Sequence, residues 1–332
     1  MTSRNDRLGF ETSPVVLPGQ TLTDEHRKGR DMKSNSQSED RHNRRDFLKI
    51  AGASALATGL ATAPQADAAS GYIKGFSCIP LNFYKQLGTD KTMSFEDWVQ
   101  MAVEFGLDAT EVYDPFIKGR DAAGREKLSD HIHEAGLKVS QFTIESNLCN
   151  KEDHAETIPH IKRSIEKAKV FRTNIVRVVS GHGSKGLVHE DVLENIADGL
   201  RAGLDYAEEN KITLAYENHW GVGTNLKDYM RILALVGDDR LKVNLDTANV
   251  PTHETLELAR RVAHRVVHTH ISELKDEKHG AVIGRGDVDI RGVFEILKGV
   301  GYNGWISLEP LSGGKEDLRF SVNHVKKEWE LA

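Results

Sequence analysis

Residues 241–250 read LKVNLDTANV, 251–265 read PTHETLELARRVAHR and 266–271 read VVHTHI. Leu241–Asp246 is a short run with the apolar, β-branched make-up of a strand, and Val266–Ile271 is another. Between them Leu256–Ala263 repeats apolar side chains at helical spacing. A strand, an amphipathic helix and a second strand within so short a span predict two parallel strands joined by a crossover helix. Both strands end in a group that an apolar strand does not need for packing, Asp246 in one and His270 in the other.

The same alternation extends in both directions. Further strands are expected at Tyr72–Cys78, Ala109–Tyr113, Lys138–Ile144, Ile175–Ser180, Ile212–Glu217 and Trp305–Glu309. Helical spacing marks Ser94–Phe105, Ala122–Ala135, Ile158–Phe171, Val192–Glu209 and Leu226–Val236. Ser94 with Asp97 three residues later suits a helix start, and Gly106, Gly136 and Gly237 suit helix ends. Eight such pairs predict an α/β chain closed as a (β/α)8 TIM barrel over residues 70–332. The rival, an open doubly wound sheet, lacks a Gly-x-Gly-x-x-Gly turn after its first strand.

Barrel chemistry collects where strands end. Strand five ends in Tyr216-Glu217-Asn218-His219, strand six in Asn244-Leu245-Asp246-Thr247, strand seven in His268-Thr269-His270-Ile271 and strand eight in Leu308-Glu309-Pro310. Unpaired carboxylates beside an apolar wall are costly, and a divalent cation removes the cost. Glu217, Asp246, His270 and Glu309 are therefore the expected ligands of one cation. Three carboxylates and one imidazole form a hard, oxygen-rich set that favours Mn2+ first, then Mg2+, with Zn2+, Co2+ and Fe2+ open. His268 shares a face with His270 by strand periodicity and sits deeper, so His270, nearer the strand end, is favoured as ligand.

Other groups carry two readings. His219 and Trp220 reach the same mouth as Glu217, as substrate contacts or as packing. His182, between Gly181 and Gly183, is either a substrate contact or part of a tight turn. Glu111 and Glu145 are candidates for the pocket wall, with solvated carboxylates as the plain alternative. Arg285, between two glycines, is either a clamp for a substrate oxygen or a solvated side chain. Trp98 and Trp329 read as packing groups. Cys78 and Cys149 read as small buried hydrophobes, one bridge between them remaining open.

From about Gly71 onward the chain resembles the xylose-isomerase-like barrels, the sugar phosphate isomerase/epimerase group. The resemblance rests on Glu217-Asn218-His219, Asp246-Thr247-Ala248-Asn249, Val267-His268-Thr269-His270, and Gly284-Arg285-Gly286-Asp287-Val288-Asp289 leading through Gly301-Tyr302 to Leu308-Glu309-Pro310. It implies that Glu217, Asp246, His270 and Glu309 hold one divalent metal and that Glu217 and Glu309 also move the substrate proton. The family's epimerases commonly carry a histidine three residues after the metal aspartate, where this chain has Asn249. An amide nitrogen cannot take and return a proton as imidazole does, which counts against plain ketose epimerisation.

The expected activity is metal-dependent isomerisation or epimerisation of a small sugar or keto-sugar through an enediolate, Glu217 and Glu309 exchanging the proton. Substrate contacts are expected from His182, His219, Trp220, Asn249, Arg285 and Glu111. The alternative is a lyase, dehydratase or keto-glycoside-cleaving enzyme that expels a β-leaving group from the same intermediate. An abasic-site endonuclease and a non-catalytic sugar-binding barrel are weaker readings.

The 332 residues carry 44 Lys+Arg and 50 Asp+Glu. Residues 1–69 hold 10 of the bases and 9 of the acids, leaving 34 against 41 in the remainder. That acidic balance, with no basic stripe, argues against nucleic acid as a partner. Residues 1–43 are polar, poor in aromatics and expected to be disordered. Residues 44–69 follow the pattern of an export signal: Arg44-Arg45-Asp46-Phe47-Leu48-Lys49, an apolar run from Ile50 to Ala63, and small residues around Ala66-Asp67-Ala68. The paired arginines resemble a twin-arginine signal, which implies the twin-arginine translocation machinery as partner and a periplasmic destination. Cleavage is expected after Ala68 or Ala69. The apolar run is shorter than the roughly 20 residues a membrane span requires, so no stable span is expected after cleavage.

Overall fold

The computed structural model describes residues 73–182 and 186–332. The polar head, and the residues where a twin-arginine signal and its cleavage were expected, lie outside the described residues.

Eight short parallel strands follow one another around a barrel. They are β1 (Gly75–Cys78), β2 (Ala109–Tyr113), β3 (Lys138–Thr143), β4 (Ile175–Val178), β5 (Thr213–Glu217), β6 (Lys242–Asp246), β7 (Val266–Ile271) and β8 (Trp305–Leu308). Hydrogen-bonded neighbours run from β2 through β3, β4, β5, β6 and β7 to β8 and then β1. Helices α1 (Phe95–Glu104), α2 (Ala122–Glu134), α3 (His154–Val170), α4 (His189–Glu209), α5 (Leu226–Val236), α6 (Thr252–Val262), α7 (Ile290–Gly299) and α8 (Lys315–Leu331) connect or follow the strands. Between β7 and α7 the chain adds a two-rung antiparallel hairpin, Leu274–Lys275 against Lys278–His279.

The seam between β1 and β2 is closed by Asp108. Its amide donates to the Phe76 carbonyl at 2.8 Å, and its carboxylate accepts from the Phe76 amide at 2.8 Å. The close approach requires glycine at 75: its φ is +141°, and a Cβ there would lie 2.6 Å from the Asp108 Cβ.

Alternation along each strand divides two environments. Outward residues such as Phe142, Tyr216 and Leu245 pack under the helices, Phe142 stacked on Phe171 at 5.9 Å and Tyr216 on Tyr229 at 5.0 Å. Ala109, Ile175, Ala215 and Trp305 form a separate apolar cluster. Two residues farther along these four strands stand Glu111, Arg177, Glu217 and Ser307, so the barrel interior changes from apolar to charged toward the strands' C-terminal ends.

Trp98 is fully buried with its indole N–H on Thr110 Oγ1 at 2.8 Å, and Trp329 packs edge-on against Phe294, both as packing groups. Cys78 and Cys149 are buried and free, so the open possibility of a bridge is not realised. Among the described residues no helix is long and apolar enough to cross a membrane.

Element ends differ from expectation where side chains replace ladder partners. β4 stops at Val178 because the Val179 amide turns to Ser146 Oγ at 2.9 Å. β3 stops before Ile144, whose carbonyl accepts from Arg177 Nη1 at 2.8 Å. α6 begins at Thr252, four residues before Leu256, because Glu277 from the distant hairpin accepts from the free Thr252 amide at 3.1 Å.

Candidate metal centre

The last inward positions of β5, β6 and β7, with the residue just after β8, present Glu217, Asp246, His270 and Glu309. One ligating atom from each lies within 4.8 Å of the others, and all four residues are buried. Register explains the convergence: Asp246 pairs directly with His270, and Ser307 pairs with His270 on the other side, bringing Glu309 just past them.

Each ligand is held by the backbone around it. Asp246 Oδ1 accepts from the Ala248 amide at 2.7 Å, the Asn249 amide at 2.9 Å and Ser272 Oγ at 2.9 Å. Asn218 bridges β5 to β6, accepting from the Asp246 amide and donating to its carbonyl, both at 2.9 Å. Glu217 Oε1 accepts from Asn244 Nδ2 at 2.9 Å and meets His270 Nδ1, and its Oε2 lies 2.7 Å from Arg177 Nη2. His270 Nδ1 is also 3.5 Å from Glu309 Oε1.

Asp246 Oδ2 is buried and receives no hydrogen bond. The Nδ1 of His270 faces two carboxylates, so without a cation it must carry a proton between them. A buried orphan oxygen and two carboxylates sharing one imidazole nitrogen fit a divalent cation, whose charge would take the place of that proton. The charge balance among these side chains is consistent with this. Burial raises the Glu309 carboxyl well above the usual range, and Asp246 and Glu217 add to the effect beyond what His270 offsets. Burial would also raise Glu217, but Arg177 and His270 outweigh it and hold that carboxyl far down. Burial lowers His270, yet Glu111, Glu309 and Glu217 together push it well up.

Around the mouth, His219 Nε2 lies 4.0 Å from Glu217 Oε2. Burial, with Arg177 adding to it, pushes the His219 imidazole down to about 4, so it is neutral near pH 7. Trp220 is 46% exposed, stacks on His219 at 5.3 Å and tilts against exposed His182 at 6.0 Å. The candidates His182, His219 and Trp220 thus form one continuous rim. Asn249 is buried beside Asp246 with its side-chain oxygen unpartnered. Glu145 stands two residues past β3, accepting from Tyr113 Oη at 2.9 Å and lying 3.5 Å from Arg177.

Two expectations are corrected. Glu111 does not turn to the substrate side: its oxygens lie 3.1 and 3.2 Å from His270 Nε2, the side of the ring turned away from the cluster. Arg285 does not turn to the cluster as a clamp: it pairs with Asp317 at 2.9 Å and lies over the Phe320 ring at 4.6 Å, both on α8. Arg177 was not anticipated. The signal was an arginine at an inward position of the run Ile175-Val176-Arg177-Val178, where a buried charge demands a partner.

Comparison with known proteins agrees with this architecture. The family described as Xylose isomerase-like TIM barrel matches residues 99–328. An inosose dehydratase of Mesomycoplasma hyopneumoniae (strain J) is 24% identical over 250 residues, spanning 68% of this chain and 83% of its own. D-Psicose 3-epimerase with D-tagatose from Clostridium cellulolyticum H10 superposes with a TM-score of 0.66 at 13% identity, covering 77% of this chain and 99% of that one. The IOLI protein with a binding zinc atom superposes with a TM-score of 0.62 at 18% identity, covering 76% and 96%.

Proposed function

The chain belongs to the xylose isomerase-like TIM barrel family, and from that premise we propose that it is a divalent-metal-dependent enzyme that moves a proton beside the carbonyl of a small, polyhydroxylated, sugar-like substrate. The observation that carries the reading is the convergence of Glu217, Asp246, His270 and Glu309 within 4.8 Å, with Asp246 Oδ2 unpartnered. A bound cation would act there as a Lewis acid that polarises the carbonyl and acidifies the neighbouring C–H. The oxygen-rich donor set favours Mn2+, and the zinc of the similar IOLI protein keeps Zn2+ open.

This chain's own residues would divide the remaining work. Glu217 and Glu309 both face His270 Nδ1 and are cast as the pair that takes the proton and gives it back. Arg177 keeps Glu217 ionised, the state in which a carboxylate accepts a proton. Neutral His219 and the free side-chain oxygen of Asn249 are suited to holding substrate hydroxyls, and Trp220 offers a ring face at the mouth. Return of the proton makes the enzyme an isomerase or epimerase.

A second reading, loss of a β-hydroxyl after the same proton abstraction, is favoured by Asn249 in place of a proton-carrying histidine and by the similarity to inosose dehydratases. The resemblance of residues 44–69 to a twin-arginine signal adds the proposal that the substrate is met outside the cytoplasm. The test incubates Mn2+-loaded protein with ketoses, keto-inositols and 3-keto-glycosides in D2O under NMR. Deuterium entering a recovered or rearranged sugar supports the first reading, and an alkene or released aglycone supports the second. No exchange and no product with any of them, in a protein that binds the ion, would sink both.

A further inference from the structure

Below the four-residue cluster a second group of donors, from Glu111, His268 and His270, also lies within 4.8 Å. It shares His270 with the cluster above, so the two are either neighbouring ion sites or one ion site and its support. The hydrogen bonds decide between them. Glu111 accepts from Thr143 Oγ1 at 2.6 Å, from Gln141 Nε2 at 3.2 Å and from Ser307 Oγ, besides facing His270 Nε2. His268 uses both ring nitrogens, Nδ1 with Asn244 Oδ1 at 2.7 Å and Nε2 with Ser140 Oγ at 3.2 Å. Glu111 and His268 contribute no unpartnered oxygen or nitrogen, whereas the upper cluster contains Asp246 Oδ2.

We infer that Glu111 is a positioning residue, which takes the Nε2–H of His270 across the barrel interior and so fixes the tautomer and ring angle that turn Nδ1 toward Glu217, Asp246 and Glu309. The inference rests on the metal-centre reading. An ionised carboxylate can only accept, so the nitrogen facing Glu111 must be the protonated one and Nδ1 is left to donate a lone pair. Metal-binding histidines generally give their second N–H to such a partner, and its loss typically weakens the ion 10- to 100-fold. Serine, threonine and glutamine around Glu111 hold the carboxylate in turn, which explains three polar side chains in the interior of β3 and β8.

The test uses the full chain stripped of metal and titrated calorimetrically with Mn2+, beside Glu111→Gln. The amide of glutamine can rotate to donate instead of accept, which releases the choice of tautomer. Wild-type protein should take up one ion per chain, and E111Q should bind it about 10- to 100-fold more weakly. In Zn2+-loaded, 15N-histidine-labelled protein the Nε2–H of His270 should appear as a far-downfield, hydrogen-bonded proton that E111Q loses. A role in packing alone would leave that proton unmoved in a folded variant. Should E111Q not fold, Ser307→Ala and Thr143→Val each remove one bond to Glu111 and should weaken the ion by about fivefold while shifting the same proton. Unchanged affinity in E111Q, or in both S307A and T143V, would overturn the inference. Two ions per wild-type chain with one lost in E111Q would also overturn it, by making the lower group a site of its own. Wild-type protein that takes up no ion would overturn the metal-centre reading, and this inference with it.

Discussion

Asp246 has two oxygens in opposite situations. Oδ1 is saturated by two amides and a hydroxyl, and Oδ2 is buried with no donor at all. The first oxygen shapes the turn after β6 and the second is free for an ion, so shape and charge can be separated by one substitution. Asp246→Asn keeps an oxygen for the two amides and removes the charge. Its metal-free form is expected to unfold within a few degrees of wild type, while Mn2+ affinity falls by about a hundredfold or more. Calorimetric titration beside a thermal melt checks both, and a variant that still binds like wild type would remove Asp246 from the ligand set. The convergence of Glu217, Asp246, His270 and Glu309 was legible from residues 212–310 because each lies at or beside a strand end, and in a barrel strand ends share one mouth. Arg177 and Glu111 were harder to place, since each is explained only by a partner on another strand.

At the scale of the element, the loop after β7 shows how much of a motif is scaffold. The run Gly284-Arg285-Gly286-Asp287-Val288 carries family resemblance, and its arginine invited a role at the substrate. In the fold the run is strapped by Glu273, whose carboxylate accepts from the amides of Val288 at 3.0 Å, Gly284 at 3.1 Å and Leu274 at 3.2 Å. Gly286 is required there because a Cβ would fall 2.1 Å from the Leu274 carbonyl and 2.3 Å from the Glu273 carboxyl. No local pattern announces such a strap, since its two ends meet only once β7, the hairpin and the loop are in place. Glu273→Gln sets an amide N–H against a backbone N–H and should cost about 1–3 kcal/mol. Hydrogen exchange should quicken at Gly284 and Val288 and stay slow at Leu245 in β6; equal acceleration at all three would refute the strap. A second strap ties α1 to the turn before α2, where Arg120 meets both oxygens of Glu96 at 2.7 and 2.8 Å. The Arg120 hydrogen bonds hold the Glu96 carboxyl below its ordinary value, against a smaller effect of burial. The unfolded chain therefore takes up that proton first as pH falls, so the pair's contribution is present above pH about 4.5 and declines as pH falls from there through the lower folded-state value. Both side chains are partly in water, so Arg120→Met should lower stability at pH 7 by less than about 1 kcal/mol and by less still at pH 3. Urea unfolding at the two pH values checks the sign, and an equal loss at both would assign the effect to packing.

For the whole barrel, closure and chemistry depend on each other. Strand count and periodicity made the eight-fold alternation legible, because an apolar run of five residues followed by a helical stretch repeats regardless of side-chain detail. The seam was not legible: β1 meets β2 through Asp108 and Gly75, a contact that exists only after the sheet has curved round. Such a barrel carries charged residues from β2, β4, β5, β6 and β7 in its interior, with Glu309 just past β8, and the mouth sets Asp246, Glu217 and Glu309 against one another. An ion bound by groups from four strands binds only the closed barrel, so it should stabilise the fold as a ligand does. At a free concentration a hundred times its dissociation constant the gain is about 2.7 kcal/mol. For a domain of this size that corresponds to a rise in melting temperature of about 5–10 °C. Scanning calorimetry of the chelator-treated protein before and after adding back Mn2+ should show that rise, and Asp246→Asn should abolish it. A shift that survives in the variant would mean that the ion binds elsewhere on the molecule, and the centre at the mouth would lose its claim to the chemistry.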